Sequence, residues 1–153
     1  MSVYTEKASE NVAVVGMVDP VSASSGAKCS EWFKVDKFHR YLAIVLLGAQ
    51  TSGGTLTASI QQAYAAAGTG GVDVTALKIT DITADGAGSK CYEINFRASD
   101  LYGTGTTPYT WFWARLRITA ATQAILQSGV VLAIGAKDYP ASDNDSTYVA
   151  EIV

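Results

Sequence analysis

A chain of 153 residues with a formal charge of -3, 48% hydrophobic residues and only 16% charged ones is long enough for one self-sufficient domain. The acidic balance argues against general binding to a phosphate backbone, which needs clustered Lys and Arg, so no nucleic-acid partner is expected. Cys29 and Cys91 stand far apart with no CxxC spacing, and they read as two small buried hydrophobes in a reducing compartment.

Residues 1–10 are polar and aperiodic and read as an N-terminal arm. Glu6 and Lys7 interrupt the apolar run that a signal peptide needs, so no export signal is expected and synthesis is placed in the cytosol. Residues 12–18 are rich in β-branched side chains and read as a strand stopped at Asp19-Pro20, with residues 21–26 as a loop. Residues 27–35 carry Cys29, Trp32 and Phe33 and run into a short turn of helix at Asp36 to His39. Residues 41–47, YLAIVLL, are apolar at every position, which marks a central strand covered on both faces and closed by Gly48. The run is far short of the roughly 20 residues that cross a bilayer as a helix, and no membrane partner is expected.

After a Gly-Ser-Thr turn at residues 51–54, Leu56, Ala58 and Ile60 alternate with Thr57, Ser59 and Gln61, so a hairpin with the preceding strand is expected. Gly68, Gly70 and Gly71 cut short the helix formers of residues 63–67, and strand end followed by loop is the reading. Leu77 and Ile79 alternate with Lys78 and Thr80 up to Thr83, and a turn at residues 85–88 follows. Tyr92, Ile94 and Phe96 then face inward against Glu93, Asn95 and Arg97. Residues 102–108, YGTGTTP, form a connection long enough to change sheets.

The longest period-two pattern is YTWFWARLRIT at residues 109–119. Phe112, Ala114, Leu116 and Ile118 line one side as a core face, while Trp111, Trp113, Arg115 and Arg117 line the other. Residues 120–127 read as a short helix ended by Gly129, and residues 130–136 as a last apolar strand. Residues 139–153 hold a polar loop around Asp143 and a short β-prone terminus. About eight strands with at most one short helix imply an all-β fold, a single antiparallel β-sandwich with a jelly roll as its expected form.

No constellation in the chain carries catalysis. His39 is the only histidine and has no nucleophile motif with it, so no enzyme and no metal site are expected. Glu31, Asp36, Glu93 and Asp100 are not fixed as the facing pair a glycosidase needs. The GTGG at residues 68–71 lacks the Gly-Lys-Ser or Gly-Lys-Thr of a phosphate loop and reads as a turn, and Asp143 to Asp145 lack the closing acid of a calcium loop. No cofactor is implied.

Two indoles beside two guanidiniums form the row with most to say. It is either the second half of the sandwich core with the Arg pair snorkelling past it, an anchor for another subunit, or a sugar-stacking platform. Trp111, Trp113, Arg115 and Arg117 are the candidate interface residues, with Tyr102 and Tyr109 nearby and both termini as arms.

One further likeness lies in the order of segments. A strand ending Asp19-Pro20 is followed by Trp32-Phe33-Lys34-Val35-Asp36-Lys37-Phe38-His39-Arg40 and an apolar strand ending at Gly48. Then come Ala58-Ser59-Ile60-Gln61-Gln62-Ala63 and Ala66-Ala67-Gly68-Thr69-Gly70. This layout resembles small virion structural proteins of tailed bacteriophages, in particular the β-sandwich proteins that decorate or cement the capsid. The resemblance implies a non-enzymatic protein on the outer capsid surface of a virion, made in the host cytoplasm. It also implies contacts with the major capsid protein and a homodimer or homotrimer. The rival readings are a carbohydrate-binding or adhesion module on a virion, another head or tail component, and an enzyme of unrecognised type.

Overall fold

In the computed structural model, the described residues are 7–50, 52–83, 89–101, 113–137 and 149–150, with the side chain of residue 81 excepted. A single helical turn, α1 (Ala8–Asn11), leads into β1 (Val12–Ala23), β2 (Gly26–Cys29), β3 (Phe33–Lys34), β4 (Phe38–Gln50) and β5 (Thr55–Ala63). There follow β6 (Val72–Thr83), β7 (Lys90–Phe96), a 3-10 turn at Ala98–Leu101, β8 (Trp113–Ala121) and β9 (Ile125–Ala136). The turn α1 lies inside the segment expected as an aperiodic arm. Glu10 explains it, because its carboxylate accepts the backbone N–H of Lys7 at 2.9 Å and satisfies an otherwise orphaned donor.

The strands form two sheets, β1-β9-β4-β7 and β2-β8-β5-β6, with β3 added to β8. Four antiparallel pairs, β1 with β9, β2 with β8, β4 with β7 and β5 with β6, amount to one long hairpin. Joining β9 to β4 and β8 to β5 rolls that hairpin into a jelly roll. The all-β antiparallel sandwich is therefore the observed fold.

This winding overturns the expected hairpin between the strands around Gly48 and Leu56. β4 pairs with β9 and β7, whereas β5 pairs with β8 and β6, so the short link between them changes sheets. Leu56, Ala58 and Ile60 need the inner face of a sheet, and the face opposite Ala43 and Val45 is where all of them are fully buried. The expected helix at residues 120–127 is also absent. Ala120 ends the buried alternation of β8 and Ile125 and Gln127 begin that of β9, while Thr122, at φ 78°, turns the corner between the two strands. Inter-sheet packing outweighs the helix propensity of Ala and Gln.

Three further expectations change. β1 does not stop at Asp19-Pro20 but passes it as a bulge, with the register on β9 shifting between Val18 and Val21. That is a place where a strand tolerates Pro. Residues 21–23 are therefore strand rather than loop, and β6 begins at Val72, earlier than the alternation at Leu77 suggests. In place of the expected helical turn, Asp36 and Lys37 lie in a bend and β4 starts at Phe38.

The core lies between the sheets. Ala114, Leu116 and Ile118 of β8 face Tyr41, Ala43 and Val45 of β4, and Val131 and Ala133 of β9, all at about zero exposure. At one end the Tyr41 ring stacks on Phe96 at 5.0 Å and Phe33 at 5.8 Å and meets Phe38 edge-on at 6.2 Å. Burial pushes the Tyr41 phenol above its ordinary value of 10.0. An unfolded chain releases this proton near pH 10 while the folded one keeps it, so stability is fully present below that pH and falls above it. Tyr41→Phe is expected to flatten the alkaline limb of urea-unfolding stability measured from pH 8 to 11. An unchanged limb would contradict this.

Candidate functional site

The outer face of the β2-β8-β5-β6 sheet carries the predicted row. Trp113, Arg115 and Arg117 alternate with the core residues of β8 and are half-buried, opposite Ala63, Gln61 and Ser59 of β5. They are outward-facing, so they are not a second half of the core. Trp111, Tyr102, Tyr109 and Phe112 lie outside the described residues, as do the turn at residues 85–88, the connection at 102–108 and the polar loop at 139–148.

Both arginines are held. The Arg115 Nε donates to Gln61 Oε1 at 2.7 Å, and its guanidinium lies 4.4 Å over the Trp32 ring. Arg117 Nη1 is 3.5 Å from both carboxylate oxygens of Asp73, a contact at the outer limit of an ion pair, and Asp73 also accepts the Ser59 hydroxyl at 3.2 Å. A planar guanidinium fixed on an aromatic ring has lost most of its rotamer freedom before a partner arrives. What remains for a partner is a pre-set edge of N–H donors beside the half-buried Trp113.

Local pattern does not reveal Trp32, Gln61, Asp73 and Tyr64 as parts of this surface. The loop at residues 68–71 is the expected turn, closed by the Gly71 N–H donating to the Gly68 carbonyl at 2.9 Å. It lies flat on two aromatic rings. Gly68 has φ +78°, and a side chain there would overlap the Trp32 indole, while one at Gly70 would overlap the Tyr64 ring. The glycines therefore serve close approach to this face rather than phosphate binding. The one local hint is the polar side of β5, where Ser59 and Gln61 occupy the positions that face Arg117 and Arg115.

The remaining candidates stay scattered. His39 is exposed on β4, and the Asp100 carboxylate accepts the Arg97 backbone N–H at 2.8 Å as a local turn contact. Among the described residues no three His, Cys, Asp or Glu side chains gather as metal ligands, and no helix is long and apolar enough to cross a membrane. Both cysteines are free, but neither is the buried hydrophobe expected: Cys29 is half-buried at the end of edge strand β2, and Cys91 is exposed on edge strand β7. Among the described strands, both lie on the outermost members of their sheets.

No protein-family model matches the chain, and no curated protein sequence does. Solved structures do match. A chain from the structure of infectious bursal disease virus, Gx strain, aligns with TM-score 0.53 and 11% identity over 86% of this chain and 33% of its own length. One from the crystal structure of the same virus's VP2 subviral particle aligns with TM-score 0.52 and 12% identity, over 86% and 34%. A chain from Broad Bean Stain Virus aligns over 99% of both chains at 12% identity, with a TM-score of 0.47. The chain thus spans about a third of the length of the bursal disease virus chains it matches. At these identities the likeness is one of fold, and that fold is a jelly roll shared with chains of virus particles.

Proposed function

We propose that this chain is a non-enzymatic structural protein of a tailed-bacteriophage virion. It sits on the outer capsid surface, where it decorates and cements the shell by binding the major capsid protein, and it also binds itself as a dimer or trimer. The observation that carries the reading is the jelly roll itself, which aligns over 86% of the chain with part of a chain from a virus particle. The order of segments from Asp19-Pro20 to Gly70 points to the same class. A cement protein needs a stable sandwich and contact faces, each contact modest and multiplied by symmetric repetition.

The shell contact is assigned to the outer row of β8, namely Trp113, Arg115 and Arg117, extended by Trp111, Tyr109 and Tyr102 of the preceding stretch. Trp and Arg dominate binding energy where they are desolvated, at about 2 kcal/mol or more for each truncation. Trp113→Ala with Arg117→Ala is the variant of choice. It spares Arg115, whose loss would strand the buried Gln61 amide and uncover Trp32.

The double variant is expected to keep the wild-type circular dichroism spectrum. It should bind capsid shells of the encoding phage at least roughly a hundredfold more weakly in a co-sedimentation titration. Wild-type binding by the folded double variant would remove this face from the contact.

A further inference from the structure

The opposite side of the molecule carries an apolar surface that neither the core nor the β8 row uses. On the outer face of the β1-β9-β4-β7 sheet, the register places three aliphatic rows side by side. Val14 pairs with Leu132 and Leu132 with Leu42, while Met17 pairs with Val130 and Val130 with Ile44. Val12 and Ile134 extend these rows at one end, and Leu46 and Leu126 at the other. Most are half-buried by their neighbours alone, and Leu46 and Leu126 are 46% and 41% exposed. Among the described residues, a strand that reads as apolar on both faces, residues 41–47, thus has its Tyr41, Ala43, Val45 and Leu47 side buried and its Leu42, Ile44 and Leu46 side partly or fully exposed. The charged outward residues, Asp19, Arg40, Glu93 and Arg97, stand around the rows, and Ser128 interrupts the β9 row between Val130 and Leu126.

We infer that this face is the interface with a second copy of the same chain, packed sheet against sheet. Three observations select that occupant. The first is area: the four strands of the sheet, about 4.8 Å apart with β7 as the polar rim, and nine residues of β9 at about 3.3 Å each give on the order of 550 Å² per copy. Two copies together therefore reach the roughly 1,000 Å² total that a specific interface needs.

The second is chemistry. An aliphatic centre inside a charged perimeter is the make-up of a subunit interface, and its two arginines, Arg40 and Arg97, stand at the rim with Glu93 rather than as the clustered cations that nucleic acid needs. The third is shape. A twisted sheet is best covered by another of equal twist about 10 Å away, and an identical copy supplies one. At the exposed end a hollow of about 450 Å³, lined by Pro20, Leu46, Gly48, Cys91 and Leu126, is open to a side chain from across the interface. Glycine at position 48 lets the Leu126 side chain, which lines the hollow, lie directly on β4; a Cβ there would lie 2.7 Å from Leu126 Cδ2.

The inference rests on the proposed function in one respect, that the chain self-associates. Its test reads mass, whereas the shell test reads sedimentation, so either can fail alone. Leu46→Arg and Leu126→Arg place a charge where the side chain is already in water in the monomer, so each should fold with unchanged circular dichroism. Light scattering over a concentration series is expected to give the full wild-type chain twice its 16.1 kDa mass. In each variant the dimer Kd should rise by roughly a hundredfold or more, because a two-fold interface carries the substitution twice.

Cys91, which pairs with Leu46 across β7 and β4, supplies a second reading. In a Cys29→Ser background, thiol labelling of Cys91 should slow as the protein is concentrated, and Leu46→Arg should abolish the slowing. A single-chain mass at every concentration would overturn the inference. So would a trimer, since a face packed on itself makes only pairs, or a dimer that persists in both variants. Flotation of a monomeric wild type with phosphatidylcholine vesicles, lost in Leu46→Arg, would also overturn it and give the face to lipid.

Discussion

Leu116→Ala is expected to lower the unfolding free energy by about 3 to 4 kcal/mol, in the upper part of the range for buried leucines. Leu116 has no exposed surface and lies mid-strand in β8, with Ile60 beside it in register. The cost of such a truncation depends on whether the site can collapse into the space left behind. Here the backbone is held, because the Leu116 N–H donates to Ser30 Oγ at 3.0 Å and its carbonyl accepts the Ser30 N–H at 2.9 Å. With the strand clamped on that edge and paired to β5 on the other, the cavity persists. Urea unfolding should show a lower midpoint at unchanged slope. A loss under about 1 kcal/mol would mean that the two sheets can close on each other.

The second large effect is at Gly129 of β9, which packs against the same Leu116 side chain from the facing sheet. A Cβ there would lie 2.6 Å from Leu116 Cδ2, 3.2 Å from Ile118 Cδ1 and 3.4 Å from the Ile44 carbonyl oxygen. The constraint is space, since nothing in the φ of Gly129 calls for glycine. Gly129→Ala should therefore cost about 1 to 3 kcal/mol by overpacking.

In a Leu116→Ala background the same methyl enters the vacated volume, and the sign reverses. The double variant should be more stable than Leu116→Ala alone, with a coupling on the order of 1 to 3 kcal/mol in a double-mutant cycle. Additive losses would show that Gly129 and Leu116 do not share one space.

Much of this packing is legible in the residue order alone, and the reason is the period of two. Ala114, Leu116 and Ile118 alternate with Trp113, Arg115 and Arg117, and one set is buried while the other is outward. Ile94 and Phe96 are likewise inside against exposed Glu93 and Asn95. What alternation does not reveal is which strand lies beside which. A short Gly-containing link after Gly48 serves a hairpin or a sheet-changing corner equally well, and the choice is made by core residues more than sixty positions away in β8 and β9. The helix expected at residues 120–127 fails for the same reason.

The candidate surface shows the same division. The Trp113, Arg115 and Arg117 row follows from local pattern, whereas their partners Trp32, Gln61 and Asp73 come from three other segments. The pairing of β3 with β8 brings in Trp32, and the registers of β8 on β5 and of β5 on β6 bring in Gln61 and Asp73. Residues 41–47, apolar on both sides, read as a strand covered on both sides. The described residues bury one side, and the second copy is proposed for the other.

The measurement that tests the capsid reading most directly is co-sedimentation of the purified wild-type protein with empty shells of the phage that encodes it, titrated to saturation. Saturation is expected at a fixed copy number per shell that matches a symmetry-related set of capsid sites, with raised thermal stability of the shell. A protein that stays in the supernatant at every concentration, with shell stability unchanged, would contradict it.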